Sequence, residues 1–214
     1  MKRKRFKLKA YSAKKNMFDA KILKNNQRLI LLTFIFIVGL ILGAACVKNP
    51  NEITLAKIKE LIDSFYLKKA AQSILVNFGS YYLSDLIFIC IAALFALCII
   101  GEPIIWLLPL IRGLGIGITT GYLYKSFNTN GMIYSILFVI IPACISVSLL
   151  IICCKENILS QKELRKKLKA QGNENSNQFI KLFALRNLIL AAFTAVSSLT
   201  ASLLVYFFSG KITL

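Results

Sequence analysis

The chain has 214 residues, of which 57% are hydrophobic, with a mean hydropathy of +0.68. That excludes a water-soluble domain of this size, because the apolar residues come in blocks as long as the roughly 18 needed to span a bilayer. Lys and Arg number 27 against 9 Asp and Glu, and histidine is absent, so no His-based catalyst, proton relay or metal site is available.

A charge of +18 in a soluble protein would point to nucleic acid. Here the cations are segregated: eleven lie between Lys2 and Arg28, and six more between Lys155 and Lys169. Such segregation is the mark of segments held on the cytoplasmic side of a membrane, and it excludes nucleic acid as the partner. Six cysteines, Cys46, Cys90, Cys98, Cys144, Cys153 and Cys154, fall in or beside apolar blocks without a CxxC spacing, which reads as buried small hydrophobes.

Residues 1–28 form a basic tail whose one carboxylate is Asp19, suited to anionic lipid headgroups. Phe6, Tyr11, Met17, Phe18 and Ile22 give part of it an interfacial apolar face. The rest, 29–214, reads as a single transmembrane domain. Leu29–Val47 is the first span. Gly43-Ala44-Ala45-Cys46 has some likeness to a lipoprotein cleavage site, but the leader is long and Gly43 stands where an aliphatic residue belongs, so an uncleaved anchor is expected. Gly39 and Gly43 have the GxxxG spacing of a helix-packing face.

Residues 51–78 then leave the membrane on the outer side. After Asn49-Pro50-Asn51 the spacing of Leu55, Ile58, Ile62 and Phe65 gives an amphipathic helix, with Lys57, Lys59, Glu60 and Asp63 on its other faces. Those four apolar residues are either a bilayer-lying face or a docking face for an extracytoplasmic partner. Tyr81–Ile100 is the second span, with Asp85 near its outer end.

The stretch from Ile99 to Tyr124 organises the rest. It is apolar, yet it holds two prolines, five glycines, Glu102 and Arg112. In hydrocarbon such breaks survive only where protein repairs the backbone. An intramembrane Arg calls for a partner, and Glu102 is the nearest carboxylate in sequence. Gly113, Gly117 and Gly121 recur every four residues on one helical face, so the reading is a hinge at Gly101-Glu102-Pro103 followed by a packing helix. Whether 104–124 is a full span or two half-helices around Arg112 stays open. A phosphate cradle at Gly113-x-Gly115-x-Gly117 is excluded, since no strand precedes it.

Lys125–Gly131 is a short outer turn, and Met132–Cys154 a fourth span with a kink expected at Pro142. The loop 155–180 is basic and cytoplasmic, its first part amphipathic. The last span, 184–208, carries Ala191, Ala192, Ala195, Ser197, Ser198, Ala201 and Ser202, suited to close helix contact. The sum is an all-α polytopic bundle of five spans with a kinked or broken central helix, amino terminus inside and carboxyl terminus outside.

Gly101-x-Pro103, Arg112-Gly113 with Gly117 and Gly121, Gly43-Ala44 and Pro142, set in this five-span layout, resemble the stage II sporulation protein M family. The resemblance implies a non-catalytic scaffold in the bacterial cell membrane, without cofactor, recruiting peptidoglycan-degrading partners to the septum during forespore engulfment. The expected partners are membrane lipids, other membrane or extracytoplasmic proteins, with cell-wall hydrolases implied by the resemblance, and further copies of the chain. Relatives in circular-bacteriocin gene sets make secretion or immunity an alternative. A small transporter or channel, with Glu102 and Arg112 lining a polar path, is the other class.

Overall fold

A computed structural model describes residues 26–48, 56–57, 59–60, 73–98, 100–169 and 176–208. Those residues are all-helical, without strands. Five helices are long and apolar enough to cross a membrane: Asn26–Lys48, Ile74–Leu97, Glu102–Phe127, Gly131–Lys166 and Phe179–Phe207.

By backbone hydrogen bonding the elements are α1 (Asn26–Lys48), α2 (Ile74–Leu97), α3 (Glu102–Ser135), a π-helical turn (Ile136–Ile140), α4 (Ile141–Lys169) and α5 (Ser176–Phe208). The second helix begins at Ile74, seven residues ahead of the expected Tyr81. The polar residues Asn77, Gly79 and Ser80 lower the hydropathy there, but Asn77 is buried in the bundle and the helix runs through it. The amphipathic helix expected over Lys155–Lys169 is present as the continuation of α4, and α5 starts at Ser176, ahead of the expected span.

The third span is continuous helix from Glu102 through Arg112, which settles the open question in favour of a full span over two half-helices. Helical turns lie on both sides of the Asn128-Thr129-Asn130-Gly131 stretch, and the chain reverses there. Arg112 reaches Ser146, Glu102 reaches Lys162, and a β-carbon built on Gly131 would meet the Leu123 carbonyl eight residues back. In a straight helix eight residues span about 12 Å. Only a fold-back near 127–132 brings all three pairs together.

The other hairpins follow from similar contacts. Asp85 and Ser84 on α2 meet Arg112 on α3, and Asn157 on α4 meets Asn187 on α5. On α2 and α5 the faces that pack are rich in small or polar side chains. On α2 the buried residues Asn77, Asp85, Ile89, Ala92 and Ala96 recur at helical spacing. On α5, Thr194, Ser197, Ser198, Ala201 and Ser202 are buried, and Ala192 from the expected small-residue face points outward. Large apolar side chains such as Leu75, Leu94, Leu107, Leu188 and Phe207 cover the outside. In hydrocarbon nothing penalises that exposure, and small residues let α2 and α5 approach their neighbours closely.

One end of the bundle gathers the start of α3, Cys98 and the basic extension of α4; the other holds the reversal near 127–132 and the end of α1, where Lys125 Nζ donates to the Val47 and Lys48 carbonyls at 3.4 and 3.3 Å. Cys153 and Cys154 are buried as expected. Cys46, Cys90, Cys98 and Cys144 are not: they lie on the outside, where a weakly polar thiol is as much at home in lipid as among side chains.

Candidate functional site: a glycine seam and a buried arginine

The glycines of the central stretch divide into three uses. Gly113 and Gly117 lie against α1 so closely that a β-carbon would meet the Phe36 and Leu40 carbonyls, respectively. Reciprocally, one on Gly39 would meet the Leu110 carbonyl and one on Gly43 the Leu114 carbonyl. Gly121 closes this seam, where a β-carbon would lie 3.3 Å from Ala44 Cα. The two small-residue faces read separately from the sequence are thus the two sides of one contact, in which backbones touch without intervening side chains.

Gly101 serves differently. It precedes α3 as its N-terminal cap, in a tight turn where a β-carbon would meet the Phe95 carbonyl, and Pro103 stands in the first helical turn. A proline there sacrifices no helical hydrogen bond, since the first N–H groups of a helix have no acceptor within it. The expected hinge is therefore a helix start. Gly115 has a third use: it points away from α1, and a β-carbon there would have nothing within 4 Å.

Arg112 is not paired with Glu102. Ten residues along one helix are about 15 Å of rise and nearly three turns, which leaves the two side chains apart in height and on different faces. Its partner is Asp85 on α2, with Arg112 Nη2 donating to Asp85 Oδ1 at 2.5 Å. Arg112 Nη1 donates to Ser84 Oγ at 3.3 Å, Nη2 also donates to Ser146 Oγ at 3.4 Å, and the guanidinium carbon lies 5.3 Å from the Phe88 ring centre. One cation thereby ties α2, α3 and α4. Because α2 starts at Ile74, Asp85 sits near mid-helix rather than at the outer end, level with Arg112.

Glu102 lies at the basic end, where its carboxylate takes Lys162 at 3.0 Å and Arg165 at 3.9 Å from α4. It does not line a path with Arg112. Around the Arg112–Asp85 pair lies a cavity of about 450 Å³, walled mostly by apolar side chains of α2, α3, α4 and α5 and extending toward the 127–132 reversal.

Pro142 forms part of that wall. It lacks an N–H for the carbonyl four residues back, and the hydrogen bonding ahead of it widens to the π register, Ile141 N–H to the Ile136 carbonyl. Ser197 Oγ donates to the Pro142 carbonyl at 3.4 Å, which ties α5 to this point.

Sequence reasoning missed a polar cluster near the basic end. Asn157 and Asn187 exchange side-chain hydrogen bonds at 3.2 Å in both directions, Asn157 Nδ2 also donates to Cys153 Sγ at 3.2 Å, and Gln161 Nε2 donates to the Cys98 carbonyl at 2.5 Å. The signal was present as amides at the inner edges of apolar blocks. Leu55, Ile58, Ile62 and Phe65, the docking candidates, lie outside the described residues. Among the described residues no group of His, Cys, Asp and Glu is arranged to hold a metal ion.

No curated protein and no solved structure matches this chain. The model of the family described as "Stage II sporulation protein M" matches residues 32–156, from the first span through the glycine seam, Arg112 and Pro142 into α4. That is more than half of the 214 residues, and the chain belongs to the stage II sporulation protein M family, a family of membrane proteins.

Proposed function

We propose that this multi-pass, sporulation-related membrane protein is a non-catalytic scaffold that gathers peptidoglycan-remodelling partners at the septum during engulfment. Family membership carries the reading. It is supported by how the polar side chains within the bundle are used: Arg112 with Asp85, Glu102 with Lys162, Asn157 with Asn187 and Ser197 with the Pro142 carbonyl all join one helix to another. Ser197 and Ser198 donate to main-chain carbonyls, and among the described residues no side-chain base accepts from either, so the hydrogen bonding supports a structural use. The charge bias places the basic end in the cytoplasm and the segment ahead of α2 outside.

The test replaces residues 51–72 by a Gly/Ser linker of equal length, which leaves α2 intact from Ile74. In sporulating cells the altered protein is expected at normal membrane abundance, with a fluorescently tagged cell-wall hydrolase no longer concentrated at the septum. Unchanged septal recruitment refutes the docking role. A second reading, transport, draws on the Arg112 cavity; flux through reconstituted vesicles that Asp85→Asn abolishes supports it, and tight vesicles remove it.

A further inference from the structure

Gly115 is the starting point. A glycine inside a helix costs about 1 kcal/mol relative to alanine, and Gly113 and Gly117 answer for theirs by touching α1. A β-carbon on Gly115 would touch nothing, and the residue lines the Arg112 cavity together with exposed Ile111. A side chain at 115 would occupy that open space, on the rim the cavity shares with Ile111.

The polar floor of that cavity has donors to spare. Among the described residues three of the five guanidinium N–H groups of Arg112 have acceptors, namely Ser84, Asp85 and Ser146. Both serine hydroxyls act as acceptors there, so each retains its own proton to donate. Arg112 keeps 23% of its side chain accessible, whereas Asp85 behind it keeps 9%. An entering group therefore meets the cation and two hydroxyl protons, an arrangement that recognises a carboxylate or phosphate oxygen. Above the floor the walls are apolar, with Phe88, Ile116, Phe138 and Val139 among them.

We propose that this cavity is a laterally open binding site for an amphiphilic anion, a carboxylate or phosphate head joined to a flexible hydrocarbon chain. The head sits on Arg112 between Ser84 and Ser146, and the chain leaves past Gly115 into the bilayer. About 450 Å³ holds the head and the first part of the chain, the remainder staying among neighbouring lipids. Asp85 competes with the ligand for Arg112. Weakening that competition strengthens binding, which a purely structural ion pair would not show.

The experiment uses the full chain in nanodiscs of phosphatidylcholine, with radiolabelled oleate as probe, oleyl alcohol as its uncharged counterpart, and phosphatidylglycerol as the diacyl anion. Saturable oleate binding is expected, at least about tenfold tighter than oleyl alcohol, the loss anticipated when a charge-assisted hydrogen bond is removed. Asp85→Asn is expected to tighten it several-fold. Gly115→Leu, which meets no backbone, is expected to abolish it at unchanged helicity and elution volume. Phosphatidylglycerol that competes with oleate assigns a membrane phospholipid as the source, and failure to compete assigns a single-chain anion. Equal binding of oleate and oleyl alcohol, undiminished binding in Gly115→Leu, or no oleate binding overturns the proposal. None of these outcomes depends on septal recruitment, so the scaffold reading stands or falls separately.

Discussion

The two faces of α3 solve opposite problems with the same residue type. Toward α1, Gly113, Gly117 and Gly121 remove every side chain so that two backbones meet. Away from α1, Gly115 removes a side chain and leaves space, at the edge of a cavity whose floor is a charge pair. The contrast teaches that a small residue in a membrane helix is not by itself evidence of packing. What stands opposite decides its use: a carbonyl of α1 in one case, open space in the other.

The largest effect expected on breaking this contrast comes from the charged side. Arg112→Leu leaves Asp85 without its cation in a low-dielectric setting and should lower stability by about 3–5 kcal/mol, read from unfolding in mixed detergent and from membrane abundance. The double variant Arg112→Leu with Asp85→Leu should recover most of that loss. If the double variant is as unstable as the single, the pair is not an isolated charge problem.

Next comes the seam. Gly117→Ala forces α1 and α3 apart at the Leu40 carbonyl and should cost about 1–3 kcal/mol, whereas Gly115→Ala should be neutral or stabilising by up to about 1 kcal/mol. Equal effects of the two alanines in the same unfolding assay would erase the distinction between the faces.

Smaller still, Asn187→Ala removes the exchange with Asn157 and should cost about 0.6–1.7 kcal/mol. At the partly exposed end, Lys162→Ala should change stability by about 0–1 kcal/mol, with the effect fading as salt is raised.

Much of this contrast could be read from the residue order. Four-residue glycine spacing marked both sides of the seam, because period alone determines a helical face. It could not say that the faces at Gly39 and Gly113 meet each other, since any small-residue face offers the same surface. The ion pair was read wrongly for a related reason. Proximity in sequence favoured Glu102, while the helix that carries Arg112 holds Glu102 some 15 Å away along its axis. Asp85 was assigned to a membrane boundary because Asn77, Gly79 and Ser80 hid the first turns of α2 from a hydropathy reading. Gly115 carried no signal at all, as spacing cannot distinguish a glycine that touches something from one that leaves a gap.

The reversal near 127–132 has one more consequence. An ordinary helix end strands several amide and carbonyl groups that want water, which pins a loop to the bilayer surface. This one turns within a few residues, so tightly that a β-carbon on Gly131 would meet the Leu123 carbonyl. The groups that such a turn strands hold it near the headgroups, and a bulky residue in place of Gly131 would pry α3 away from the helix that follows.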